Sequence, residues 1–180
     1  LKLKVGFFEG DVECLPFEDE KFDVVLSQFG HMFAPRPRIA LSEMLRVIKP
    51  GGTIAFATWP PELFMGKFLQ TVGEYNPPLP EGAFSPVLWG DVSVVTERLT
   101  PYVSDLCFDR SRVLSPALTP HHFLRMMEKN AGPLSDLIER FSEDSKKLKA
   151  LRSDLLGLIE TYFYNNFVKQ DFLITRAKKN

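Results

Sequence analysis

The sequence predicts an α/β fold with a mostly parallel sheet, a terminal antiparallel strand and a helical cap. Three observations predict it. Phe22-Asp23-Val24-Val25-Leu26 is a compact apolar run broken only by Asp23, as suits a parallel strand covered on both faces. Ile39, Ala40, Met44, Leu45, Val47 and Ile48 then recur at helical period, with Glu43 and Arg46 elsewhere on the wheel. Thr53 to Thr58 is a second apolar run, so strand, helix and strand read as a right-handed βαβ unit.

The remaining elements follow from local signals. Leu3, Val5, Phe7 and Phe8 read as a short strand ending at Gly10-Asp11, and residues 12–21 as an acidic, turn-rich connector. Pro50-Gly51-Gly52 is expected to stop the first helix through a left-handed glycine cap. Residues 60–90 carry six prolines among aromatics and read as a cap or loop region with a short helix over 64–72. Asp91 is a candidate cap for a helix to Leu99, and Val103–Leu114 reads as a long strand. Thr119-Pro120 opens a helix, with threonine as N-cap and proline at the first helical position. Residues 134–168 are predicted to be long amphipathic helix, broken once near Asp144-Ser145, and Asp171–Ala177 to be the closing strand.

Composition narrows the function. With 22 basic and 23 acidic residues the net charge is −1, so no basic excess points to nucleic acid. Apolar residues make up 44% and charged residues 25%, as in globular proteins, and no apolar run approaches a membrane span. Cys14 and Cys107 offer neither a disulfide framework nor a paired metal spacing. Their apolar flanks predict buried, reduced thiols, in keeping with a cytoplasmic protein. No metal site is expected.

Open α/β sheets bind ligands beyond the carboxyl ends of their strands. Three such ends are visible: Asp11, Val12 and Glu13; then Ser27, Gln28, Phe29 and His31; then Thr58, Trp59 and Pro60. An acidic side chain and a following backbone N–H can read the exocyclic amine and a ring nitrogen of adenine. Equally, Asp11 can organise an Asx-type turn after Gly10. Local spacing leaves both readings open.

Gly10-Asp11-Val12-Glu13 with Leu15-Pro16-Phe17, then Phe22-Asp23-Val24-Val25, then Arg46-Val47-Ile48-Lys49-Pro50-Gly51-Gly52, together resemble the signature of class I S-adenosylmethionine-dependent methyltransferases. The likeness is greatest to the branch that includes quinone-biosynthesis and other small-molecule enzymes. It is dense over residues 3–59 and loose beyond. The resemblance implies a Rossmann-like sheet and S-adenosylmethionine as cofactor. It implies adenine contacts at Asp11 and Val12, and a methionine-side wall of Ser27, Gln28 and Phe29. His31, Trp59 and Phe33 would face a small-molecule acceptor, and a homodimer is left open. It divides a single domain into the second half of a cofactor-binding core (1–59), a cap with late strand and helices (60–168), and a closing strand and tail (169–180).

The family's first strand, its glycine-rich turn and the acidic residue for the ribose hydroxyls are expected before Leu1. That amounts to about 60 residues at about 30 per βαβ unit. Gly6, Gly10 and Gly30 lack the required spacing, so the chain is expected to be N-terminally incomplete.

His31 follows the second strand end and is a candidate general base, although methyl transfer rests mainly on in-line proximity. The competing reading is a packed or surface histidine. His121-His122, being adjacent on a helix, face different ways and make a poor metal pair. No Gly-x-Ser-x-Gly elbow, phosphate loop or zinc spacing occurs. Tyr162 and Tyr164 lack a lysine four positions on, which disfavours a Tyr-x-x-x-Lys dehydrogenase. The alternatives are a non-catalytic α/β scaffold or partner domain, and a Rossmann-type nicotinamide oxidoreductase.

Overall fold

The structure is a computed structural model describing residues 4–180. Its elements are β1 (Phe22–Gln28), α1 (Pro37–Arg46), β2 (Ile48–Thr58), α2 (Phe64–Glu74), α3 (Val92–Leu99), β3 (Val103–Pro116), α4 (Pro120–Asn130), α5 (Gly132–Arg140), α6 (Ser145–Tyr162), β4 (Phe163–Tyr164) and β5 (Phe167–Lys179). Short 3₁₀ turns cover His31–Phe33 and Pro86–Gly90.

The α/β class holds. The sheet order is β1-β2-β5-β3, with β4 also on β5. β1 and β2 are parallel and joined through α1, as a βαβ unit requires, whereas β5 pairs antiparallel with β2, β3 and β4. The closing strand is therefore internal to the sheet, with Phe56 opposite Thr175 and Thr58 opposite Leu173. α1 turns Ala40, Leu41, Met44 and Leu45 inward. α2, α4, α5 and α6 share a core of Phe64, Phe68, Phe123, Leu134, Leu137, Leu151 and Leu155. Fully burying one such side chain stabilises by about 1.5–3 kcal/mol, enough for this helical layer to hold its shape against the sheet.

Two caps form as predicted. The Asp91 carboxylate accepts from the N–H groups of Ser93 (2.8 Å) and Val94 (3.2 Å), and Thr119 Oγ1 accepts from the His122 N–H (3.1 Å). The break before α6 also forms, with Asp144 accepting from the Lys147 N–H at 3.0 Å.

Several expectations are corrected. Leu3 lies outside the described residues, and Lys4–Gly10 form no strand: Val5, Phe7 and Phe8 are exposed. A strand needs a neighbour for its N–H and C=O groups, and no described strand pairs there. Val24 and Leu26 on edge strand β1 are likewise exposed, so β1 is not covered on both faces by the described residues. α1 ends at Arg46, capped by Val47, before the glycines are reached. Pro50-Gly51-Gly52 lies inside β2, where the register with β1 jumps between Phe22↔Ile48 and Val24↔Thr53. Gly51, at φ 73°, supplies the left-handed residue of that irregularity.

The helix expected through residue 168 stops at Tyr162. Asn165 (φ 47°) and Asn166 (φ 61°) make the two-residue turn of the β4–β5 hairpin, with Tyr164 opposite Phe167. Asparagine tolerates this backbone region better than most residues, so the hairpin prevails over helical periodicity. Cys14 is exposed and Cys107 half-buried. Both are free thiols, and neither is a core residue.

Candidate functional site

The carboxyl ends of β1 and β2 lie side by side, with Ser27 opposite Phe56 and Gln28 opposite Ala57. The Phe29 N–H donates to the Ala57 carbonyl at 3.0 Å, carrying the pairing one residue past the strand. Phe29 then turns with φ 56°, a left-handed conformation that is an outlier for a bulky side chain. Such strain persists only where surrounding contacts impose it. Here its ring stacks flat on Trp59, with centroids 3.9 Å apart and planes 4° from parallel. Phe172 of β5 meets both rings edge-on, at 5.4 Å and 6.1 Å.

Trp59 is itself fixed from behind. Thr58 Oγ1 donates to the Trp89 carbonyl at 2.8 Å. Gly90 passes so close that a Cβ there would collide with the Trp59 carbonyl, so only glycine fits.

His31 is buried, with 3% of its surface exposed. Its ring lies 4.6 Å from both the Phe56 and Trp89 rings, and its Nδ1 is 2.9 Å from Ser27 Oγ. The His31 N–H donates to the same oxygen at 3.2 Å. Burial, with a contribution from the Arg98 charge, lowers its pKa to about 4, so the imidazole is neutral at pH 7. Of the two readings of His31, this is the packed one: the ring is enclosed by aromatics, and its Nε2 is buried without a partner.

Asp11 sits in the exposed connector, where its Oδ1 accepts from the Glu13 N–H at 2.9 Å and its carbonyl accepts from the Cys14 N–H at 2.9 Å. This is the Asx-type turn. It engages one carboxylate oxygen and leaves the Val12 N–H outside the turn's hydrogen bonds, so an adenine edge still fits the donor and acceptor set. Val12 packs partly against the core. Ser27 and Phe29 are half-buried, Gln28 is exposed, and Phe33 is 47% exposed at the end of its 3₁₀ turn. The structure therefore joins Ser27 to His31, and Phe29 to Trp59.

Sequence reasoning missed the residues that hold the connector. The buried Glu13 carboxylate accepts from the Arg36 N–H and Nε, both at 2.7 Å, and pairs with Nη2 at 2.6 Å. Glu43 accepts from the Leu15 N–H at 2.8 Å and from Arg46, whose hydrogen bond holds the Glu43 carboxyl below its usual range. Arg46 also donates to the Phe17 and Leu15 carbonyls and to Asp19. The turn carrying Asp11 is in this way bolted to α1. Among the described residues, no cluster of three or more His, Cys, Asp or Glu could hold a metal ion, and no helix is long and apolar enough to cross a membrane.

Residues 1–56 match the family described as "Methyltransferase domain", which covers the connector, the end of β1 and β2 as far as Phe56. The resemblance to class I methyltransferases holds. An uncharacterized protein of Mycobacterium tuberculosis is 33% identical over 178 residues, covering 98% of this chain and 65% of the relative. The chain thus spans about two thirds of the length of that curated relative. A demethylmenaquinone methyltransferase of Renibacterium salmoninarum is 42% identical over 71 residues, 39% of this chain and 30% of the relative. Among solved structures, an S-adenosylmethionine-dependent methyltransferase of Thermotoga maritima superposes with a TM-score of 0.51 at 15% identity, covering 96% of this chain and 63% of that one. At that identity the likeness is one of fold: the Rossmann-like architecture of methyltransferases.

Proposed function

We propose that the whole protein transfers a methyl group from S-adenosylmethionine to a small-molecule acceptor. The observation that carries this reading is the methyltransferase-domain match over residues 1–56, which contains the Asp11 turn and the β1 strand end. That match favours it over a nicotinamide oxidoreductase or a scaffold.

When bound, S-adenosylmethionine supplies a sulfonium methyl group to an acceptor lone pair. Asp11 and the Val12 N–H hold the adenine edge, and Ser27, Gln28 and Phe29 line the methionine side. The Phe29–Trp59–Phe172 cluster gives the acceptor side a rigid apolar wall that excludes water, and the exposed Phe33 is assigned to the acceptor as well. In-line positioning supplies the acceleration, so no side-chain base is required. His31 serves by holding Ser27 rather than by moving a proton. A small acceptor and a cytoplasmic setting belong to the same reading, supported by the free thiols Cys14 and Cys107.

Isothermal titration of the whole protein with S-adenosylhomocysteine tests the proposal. Saturable binding is expected, weakened about tenfold or more by Asp11→Ala, since a charged hydrogen bond contributes about 1.5–3 kcal/mol. Absence of binding to the whole protein overturns it.

A further inference from the structure

Away from the strand ends, α1 and α3 enclose a cavity of about 360 Å³ lined by Arg38, Leu41, Leu45, Arg98, Pro101 and Tyr102. A second cavity of about 230 Å³ opens on the same pair of arginines, against Phe84, Leu88 and Val94. Glu97 borders both cavities.

Arg98 lies over the Trp89 ring, its guanidinium carbon 4.6 Å from the ring centroid. A cation over an aromatic ring is attracted to the ring face without using up its N–H groups as donors to oxygen. One of them, Nη1, is buried without any partner. A buried donor without an acceptor is costly, and a charged one more so. None of the salt bridges among the described residues uses Arg38, Glu97 or Arg98. Burial and the nearby Arg38 charge hold the Arg98 guanidinium below its usual pKa, against the opposing effect of Glu97. With two cations and one exposed carboxylate, the site has a positive excess.

The rest of the lining sets the ligand class. Leu41, Leu45 and Pro101 give apolar walls, while Ser42 and Tyr102 add hydroxyl groups. A cavity of 360 Å³ falls within the range of about 300–1,000 Å³ usual for small-molecule sites. We propose that this α1–α3 cavity binds a small carboxylate with an apolar body, its carboxylate on Arg98 and Arg38 and its body against Leu41, Leu45 and Pro101. The planar guanidinium fork of Arg98 matches a carboxylate in two-point fashion. The ligand would then sit on the arginine that lies over Trp89, and Trp89 in turn contacts His31.

The test uses benzoate as probe, followed by the indole N–H resonances of the whole protein. This chain holds two tryptophans, Trp59 and Trp89, and Trp59→Phe and Trp89→Phe variants of the whole protein assign their signals. Benzoate is expected to move the Trp89 signal saturably and leave that of Trp59 in place. Arg98→Gln should weaken binding at least tenfold, and Arg38→Gln severalfold. Ser42→Phe, which fills the cavity and leaves both arginines intact, should abolish binding and serves if Arg98→Gln does not fold. No saturable shift, or a shift unchanged in both Arg98→Gln and Ser42→Phe, overturns the site. Inorganic phosphate binding as tightly as benzoate overturns the apolar-body assignment.

Discussion

Phe29 and Trp59 stack face to face at 3.9 Å although they leave different strands, and Phe29 does so with its backbone in the left-handed region. The parallel pair is braced by Phe172, which meets both rings in the edge-on arrangement that aromatic pairs favour. It ties the end of β1 to the end of β2 just where the ladder's hydrogen bonds run out.

A double-mutant cycle over Phe29→Ala and Trp59→Ala should therefore show coupling. Trp59→Ala alone is expected to cost about 3–5 kcal/mol, since Trp59 is 9% exposed and truncation leaves a cavity. The coupling itself should be about 0.5–1.5 kcal/mol. Urea unfolding of the four proteins measures both, and strict additivity would show that the stack is incidental.

Glu13 gives the second prediction. Its side chain is 3% exposed while that of Arg36 is 62% exposed. Arg36→Ala removes the side-chain donors and leaves a buried carboxylate, at an expected cost of about 3 kcal/mol. Glu13→Gln in the same chain should recover part of that loss, because it removes the uncompensated charge. Thermal unfolding of the single and double variants decides it. A double variant less stable than Arg36→Ala contradicts the pairing.

The βαβ segment was legible because apolar runs and a helical stripe are local patterns, and the Asp91 and Thr119 caps because capping chemistry spans three residues. The Asn165-Asn166 turn carried a local signal too, but the periodicity of α6 runs directly into it and masked it. Other features are properties of the folded chain alone. Phe172 reaches Trp59 only because Thr58 pairs with Leu173, a register set by the whole sheet. Glu13 finds Arg36 among many possible charge partners. Val5, Phe7 and Phe8 have the composition of a strand, but composition cannot supply the neighbouring strand that would pair with them.

Gly90 yields a steric prediction. Gly90→Ala should destabilise by about 1–3 kcal/mol, the usual cost of overpacking a filled interior. Because the added methyl group meets the Trp59 carbonyl, the Trp59 indole resonance should shift as well. The outcome that contradicts the close approach is an alanine variant with wild-type stability and an unmoved Trp59 signal.

His31 makes the fold sensitive to acid in a defined window. Its pKa is lowered from 6.5 to about 4 in the folded chain, first by burial and then by Arg98. Between those values the unfolded chain binds a proton that the folded chain refuses, so stability rises with pH. The full contribution is present above pH 6.5 and is lost as pH falls toward 4, an expected loss of roughly 3 kcal/mol. Carboxylates with lowered folded pKa values, Glu43 and Asp91 among them, also lose stability as they protonate at the acid end. The decisive quantity is therefore the difference between the wild type and His31→Asn. Urea unfolding from pH 4.5 to 7.5 should give curves that converge on acidification, as the wild type alone pays the histidine term. Parallel curves across that range would mean that His31 titrates normally and is not enclosed between Phe56 and Trp89.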